Sequence, residues 1–346
     1  MFGKKGNDCK MHYSIWVTSA CNLRCKYCYE KEKKNIQMRK STAEQVFQYI
    51  RKQSESLFDN DIQISIHGGE PLLNYDILCY LVQLFRAWAK DVRMDITTNA
   101  TLLDDEKLAF IMESFDEISI SIDGTPEIHD KNRITPEGKG SFYYVSSNID
   151  KLLVYKNNII ARMTVTSDTV SSLYDGVAYL YDRGFCLISP IIDQCDSRWD
   201  EKTMEELKQQ LIKLSDYFST KKDVKIGLLE EMKYRKKSKC LPGDMTLHID
   251  SSGVFYPCAY VVGDCKFEIG NVNMGLDDIK LQRIKDINQY EFESCRLCKW
   301  KEYCCGYRCK LINYAISGGF QPQYTACKLE HVLLEVHYFT TFLKKI

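Results

Sequence analysis

The sequence predicts an α/β chain: an incomplete (β/α)6 barrel of parallel strands, followed by a small cysteine-rich α+β domain. Three observations lead there. Short β-branched runs alternate with segments of helical periodicity through the first two thirds of the chain, the pattern of parallel strands joined by right-handed crossovers. The residues of unusual chemistry fall directly after those runs, where such barrels carry their sites. Of sixteen cysteines, eight stand at metal-like spacings between Cys240 and Cys327, far from the scatter expected of small buried hydrophobes.

The 346 residues are 45% hydrophobic, with 47 basic and 47 acidic side chains. That is enough chain for a full core and two domains. A balanced charge argues against nucleic acid as a partner, since that grip needs an excess of Lys and Arg. No apolar run approaches the ~20 residues of a membrane helix and no signal peptide opens the chain, so the expected setting is cytoplasmic, away from membranes. In such a chain cysteines imply metal or redox chemistry rather than disulfides.

The predicted strands are Ser14 to Ser19, Ile62 to His67, Met94 to Thr98, Glu117 to Asp123, Ile159 to Val165 and Phe185 to Ile192. Helical patterns lie between them, at Ser41 to Phe58 (with Ser41 as cap and Glu44 completing a capping box), Asp76 to Lys90 and Asp105 to Ser114. A charged helix over Asp200 to Phe218 bridges to the second domain. The lysine-rich Lys233 to Cys240 marks the boundary, giving domains 1–232 and 233–346. Beyond it, Met245 to Cys258 reads as a hairpin and Lys328 to Lys345 as an amphipathic helix.

After the first strand comes SACNLRCKYCYE, in which Cys21, Cys25 and Cys28 are spaced x3 and x2. Thiolates select soft metals and iron–sulfur clusters, and three on one loop hold three corners of a 4Fe–4S cube. Structural zinc needs a fourth ligand, and neither His nor Cys follows at zinc-finger spacing. After strand two stands Gly68-Gly69-Glu70-Pro71, after strand three TTNAT with Asn99, and at the end of strand four SIDG with Ser121 and Asp123. DGTPEIHDKNR ends in Arg133, and Arg162 lies on strand five.

These motifs resemble those of the radical S-adenosylmethionine (SAM) enzymes, whose partial, TIM-like barrel carries CxxxCxxC after its first strand. The resemblance implies an aromatic before the third Cys, here Tyr27, and a fourth iron that binds SAM. Reductive cleavage of SAM then gives a 5′-deoxyadenosyl radical that abstracts a hydrogen. It further implies SAM contacts from Gly68, Gly69, Glu70, Pro71, Asn99, Ser121 and Asp123, with Arg133 suited to the SAM carboxylate and Arg162 a further candidate. Ala100 stands where many relatives have glycine.

The later cysteines, Cys240-x12-Gly253-x4-Cys258, Cys295-x2-Cys298-x5-Cys304, Cys309 and Cys327, resemble a SPASM domain, which carries two auxiliary 4Fe–4S clusters and brings the total to three. The resemblance implies Cys240, Cys258 and Cys309 for the first, with Cys265 as the nearest unused thiol for a fourth ligand, or an open iron. It implies Cys295, Cys298, Cys304 and Cys327 for the second. Cys305 restores the family's spacing to Cys309 and competes with Cys304.

Among enzymes of this architecture, sulfatase maturases carry an Asp, their base, directly after the YPC cysteine. This chain reads Tyr256-Pro257-Cys258-Ala259, and alanine accepts no proton. The resemblance therefore implies a maturase of a small ribosomal precursor peptide, installing a thioether or carbon–carbon crosslink by net oxidation, with no catalytic base identified. An external reductant such as flavodoxin or ferredoxin is implied. Only twenty residues precede Cys21, so leader recognition is expected from a separate protein or from the barrel and SPASM surfaces themselves. The alternatives are formylglycine formation, oxidation of a small molecule and, in a different class, a non-catalytic electron carrier, which would not need the rim motifs.

Overall fold

A computed structural model describes residues 11–30, 34–57, 62–89, 92–155, 159–231, 246–304 and 310–338. Its strands are β1 (Met11–Trp16), β2 (Ile62–His67), β3 (Arg93–Thr98), β4 (Glu117–Ser121), β5 (Ile160–Val165), β6 (Leu187–Ile192), β7 (Lys225–Ile226), β8 (Thr246–Ile249), β9 (Val254–Tyr256), β10 (Gly270–Asn271) and β11 (Gly275–Leu276). The helices are α1 (Lys40–Leu57), α2 (Tyr75–Trp88), α3 (Asp105–Ser114), α4 (Pro126–Asn132), α5 (Phe142–Tyr155), α6 (Leu173–Asp182), α7 (Glu201–Phe218), α8 (Gly227–Glu231), α9 (Asp278–Gln289), α10 (Glu293–Arg296), α11 (Lys310–Ser317) and α12 (Tyr324–Tyr338).

Strands β1 to β6 pair in sequence order and all parallel, as the strand–helix alternation predicts. Their period-2 alternation separates two surfaces. Tyr13, Ile15, Ile64, Ile66, Ile96, Ile120, Ala161 and Met163 enter the core together with Val46, Ile50, Leu81, Phe85 and Ile111 of the helices. The alternate residues all carry polar atoms: His12, Ser14 and the indole of Trp16 on β1 stand in register with Gln63, Ser65 and His67 on β2. They bond to one another, His12 Nε2 to Ser65 Oγ at 2.6 Å and Gln63 to Asp95 at 2.8 Å. The barrel therefore has an apolar helix side and a polar inner face.

The second cysteine-rich part shares this sheet. β8 pairs parallel with β1, His12 against Thr246 and Ser14 against His248, and β9 to β11 continue it antiparallel. The hairpin expected from Met245 to Cys258 is the β8–β9 pair, although nothing in its sequence announced its edge-on pairing with β1. α7 begins at a capping box in which Asp200 accepts from the Thr203 amide and Thr203 returns a bond to the Asp200 amide.

Several boundaries differ from expectation. α1 starts at Lys40, because the Arg39 carbonyl accepts the first helical bond, from the Ala43 amide at 2.9 Å. Ser41 thus lies inside the first turn and is not the cap. β1 ends at Trp16 rather than Ser19, since Thr18 turns to bridge Gln37 and the Ser19 amide bonds Ile36. The predicted boundary at 232/233, with the lysine-rich segment to Cys240, lies outside the described residues, as do Phe58, Lys90 and 339–345. No helix among the described residues is long and apolar enough to cross a membrane.

Candidate active site at the barrel rim

The first cysteine loop is held by continuation of the β1–β2 ladder beyond the strands. The Val17 amide donates to His67 (3.1 Å), the Gly69 amide to Thr18 (2.9 Å) and the Glu70 amide to Ala20 (2.8 Å), up to the residue before Cys21. A Cβ on Gly69 would stand 2.3 Å from the Ala20 carbonyl oxygen, and one on Gly68 2.6 Å from that of Thr18. Only glycine allows this approach. The two glycines therefore set where Cys21 emerges. On its far side the loop is tied to the end of α4 and the chain just past it, with the Lys26 amide on the Asn132 carbonyl and the Arg24 amide on that of Ile134. Cys21, Cys25 and Cys28 are all half-buried.

Tyr27 points away from solvent to the end of β4. Its hydroxyl donates to Asp123 Oδ2 at 2.6 Å, while Asp123 Oδ1 accepts from Arg133 at 3.0 Å and from the Thr164 amide at 2.9 Å. The Arg133 guanidinium also sits 5.3 Å from the Tyr27 ring centroid and donates to the Arg162 carbonyl. Burial holds the Tyr27 hydroxyl protonated, raising its pKa well above 10.0. Burial works against the Arg133 charge, but Asp123 outweighs it, and the net shift is upward. Arg133 Nε is buried without a hydrogen-bond partner among the described residues, an orphaned donor of the kind that a bound anion satisfies.

Glu70 caps the turn at Pro71–Asn74 and accepts from the Leu72 amide, the Thr98 hydroxyl (2.7 Å) and the Asn99 amide (2.7 Å). Burial raises its pKa to about 7 in spite of those donors. Asn99 in turn bonds Asn22 of the cysteine loop at 2.9 Å and accepts from Thr101. Its neighbour Ala100 lies in the left-handed region at φ 58°, the conformation a glycine would adopt without strain. Ser121 is half-buried at the end of β4, in register with Arg162. Arg162 lies within electrostatic reach of Tyr29, His67, Glu117 and Tyr260.

A cleft of 1310 Å³ opens over this rim. Tyr27, Cys28 and Asp193 line one side, and Tyr256, Tyr260 and Cys265 line the other. Tyr29 meets Tyr260 across it, ring centroids 5.8 Å apart. Sequence reading missed three of its features: the Trp16–Glu30 bond (2.8 Å), Asp193 just past β6, and Asp196 fastened to Ser167 and Arg198. The rule that found Cys21 and Gly68, that chemistry follows strand ends, applied equally to Asp193 and Asp196.

In the C-terminal part, Cys258 precedes the turn Ala259–Val261 and is half-buried, whereas Cys265 is exposed. Cys295, Cys298, Cys304 and Cys327 are half-buried. Burial, with Cys295 and Cys298 nearby, pushes the Cys327 thiol up to about 11. Cys298 Sγ lies 3.6 Å from His331 Nε2. The expected ligands Cys240 and Cys309, and the competitor Cys305, lie outside the described residues. No three His, Cys, Asp or Glu side chains converge on one ion among the described residues. The described donors other than Cys265 are half-buried thiols, the ligand type that iron–sulfur clusters take.

A family profile described as the radical SAM superfamily matches residues 15–178. A cysteine-type anaerobic sulfatase-maturating enzyme of Clostridium perfringens is 26% identical over 327 residues, 84% of this chain and 86% of that protein. An uncharacterised protein of Methanocaldococcus jannaschii is 30% identical over 295 residues, 83% and 96% of the two chains. Among solved structures, native anSMEcpe with bound AdoMet and Cp18Cys peptide superposes with TM-score 0.79 at 22% identity, covering 97% of this chain and 98% of that one. Streptococcus suis SuiB bound to precursor peptide SuiA gives 0.68 at 16% identity, covering 92% and 76%. At those identities the superpositions establish a common fold.

Proposed function

The chain belongs to the radical SAM superfamily, and from that premise we propose that it is a maturase acting on a peptide, in which it installs a crosslink. In this reading Cys21, Cys25 and Cys28 hold three irons of a 4Fe–4S cluster. The backbone of Gly68 to Pro71, with Asn99, Ser121, Asp123 and Arg162, borders the SAM site, and the orphaned Nε of Arg133 meets the SAM carboxylate. Cys240, Cys258 and Cys309, with Cys265 as the nearest further thiol, hold a second cluster; Cys295, Cys298, Cys304 and Cys327 hold a third. Bound there, the groups supply a 5′-deoxyadenosyl radical to take one hydrogen atom and an acceptor for one electron. A flavodoxin or ferredoxin as reductant, and a cytoplasmic setting, belong to the same reading.

The protein's own residues provide enclosure and position. Tyr27, tied to Asp123, lies beside Cys28 on the cleft wall. Tyr29 and Tyr260 narrow the passage between the rim and the C-terminal part. The observation that carries the peptide reading is the cleft itself. At 1310 Å³ it exceeds the roughly 300–1,000 Å³ of small-molecule pockets, leaving room for a peptide segment beside SAM.

Formylglycine formation is the second reading, favoured by the sulfatase-maturating relatives. Ala259 weighs against it, because the position directly after Cys258 carries no carboxylate to take the proton. The test is mass spectrometry of a short peptide encoded beside the gene and co-expressed with it. A crosslink predicts loss of two hydrogens and no reaction with hydroxylamine. An aldehyde, which hydroxylamine traps, would shift the assignment to formylglycine, and an unaltered peptide would remove that substrate.

A further inference from the structure

Helix α12 carries Cys327 and His331 four residues apart, and therefore on one face. From a separate segment, just past α10, Cys298 brings its sulfur to 3.6 Å from His331 Nε2. His331 is thus fixed against the sulfur site by two independent elements, one through sequence spacing and one through tertiary contact. None of the cysteine spacings pointed to it. We propose that His331 is a hydrogen-bond donor to the Cys298 sulfur and sets the reduction potential of the cluster held by Cys295, Cys298, Cys304 and Cys327. This rests on the reading of those cysteines as cluster ligands.

The direction of the bond follows from the chemistry of the two groups. As a thiol, Cys298 can donate to the ring nitrogen. As an iron ligand it is a thiolate, which only accepts, so the contact persists in the loaded protein only with Nε2–H as donor. Such a bond delocalises negative charge from the sulfur and favours the reduced, more negative cluster, raising its potential. Direct ligation by His331 to the same iron is a different arrangement, since a cubane iron bound by Cys298 has no further place for it. No bond is made or broken in this role, and the only redox event is the cluster's own one-electron couple.

The test uses the full chain with Cys21→Ala, Cys25→Ala and Cys28→Ala, anaerobically reconstituted so that only C-terminal clusters contribute. Iron content, electron paramagnetic resonance spectra and midpoint potentials are compared for His331, H331A and H331Q. The inference expects equal iron in all three, a lower potential for one C-terminal cluster in H331A, and partial recovery in H331Q, whose amide can donate. Equal potentials and spectra at equal iron would overturn it. Loss of one cluster's iron in both H331A and H331Q would also overturn the donor role, showing a structural or ligating one. Absence of C-terminal iron in the His331 parent would overturn the cluster reading on which the inference rests, and is distinguished because it appears before any change at 331.

Discussion

The Tyr27 hydroxyl and the Asp123 carboxylate meet at 2.6 Å, and this bond joins the cysteine loop after β1 to the end of β4. Asp123 at the same time neutralises Arg133, both nearly inaccessible, with side-chain exposures of 1% and 8%. Tyr27 lies 96 positions from Asp123, whereas Asp123 and Arg133 are ten apart on the stretch after β4. Their contact makes them one unit that locates the loop relative to the barrel.

Removing members of this unit should have unequal effects. Tyr27→Phe deletes one hydrogen bond to a charged group but leaves the ion pair and the ring beneath Arg133, and should cost about 1.5–3 kcal/mol. Asp123→Ala strands a buried guanidinium and should cost about 3–5 kcal/mol. Urea denaturation of the two variants, with their double mutant, checks the order; equal losses would mean that the ion pair contributes little.

Gly69→Ala should displace the loop, because the new methyl carbon would lie 2.3 Å from the Ala20 carbonyl oxygen and 2.9 Å from Cys21 Cβ. We expect at least a tenfold fall in SAM cleavage, and less iron at the first site. Gly319→Ala, whose added carbon meets nothing nearer than 3.8 Å, serves as control. Unchanged iron and cleavage in Gly69→Ala would contradict the role assigned to the close approach.

Ala100→Gly should stabilise the protein. At φ 58° an alanine bears about 1–2 kcal/mol of left-handed strain, partly offset by the greater unfolded-state freedom of glycine, about 0.5–1 kcal/mol. The net expectation is a gain of about 0.5–1 kcal/mol in denaturant titrations. A loss of stability would show that the Cβ packs favourably in this buried position.

His67 makes stability depend on pH. Burial, opposed by Asp95, lowers its pKa from 6.5 to about 4. The folded protein thus keeps it neutral while the unfolded chain binds a proton. Its contribution is complete above about pH 6.5 and is lost as pH falls toward 4, on the order of 3 kcal/mol. As pH falls through that range, the unfolding free energy of the wild type should drop relative to that of His67→Gln, which has no group to protonate there. Parallel curves would assign the acid sensitivity elsewhere.

Much of this arrangement was legible in the sequence. The six parallel strands follow from β-branched runs between helical patterns, and Cys21, Gly68, Asn99 and Asp123 were found because each follows a strand. The Tyr27–Asp123–Arg133 contacts were not legible, since local spacing carries no information on which rim residues face one another across the barrel. The pairing of β8 with β1 was hidden for the same reason: four residues of Thr246–Ile249 look alike whether their partner is local or two hundred positions away. Ser41 was misread because Ser followed by Glu is a cap only when the backbone turns there, and the Arg39 carbonyl had already begun the helix.

The central claim is that Cys21, Cys25 and Cys28 form the radical-generating site. Its most direct test is 5′-deoxyadenosine formation from SAM and dithionite by anaerobically reconstituted protein, wild type against the triple alanine variant at those positions. The wild type should produce 5′-deoxyadenosine, and the variant none, while retaining its C-terminal iron. Continued SAM cleavage by the variant would place the chemistry elsewhere and contradict the account.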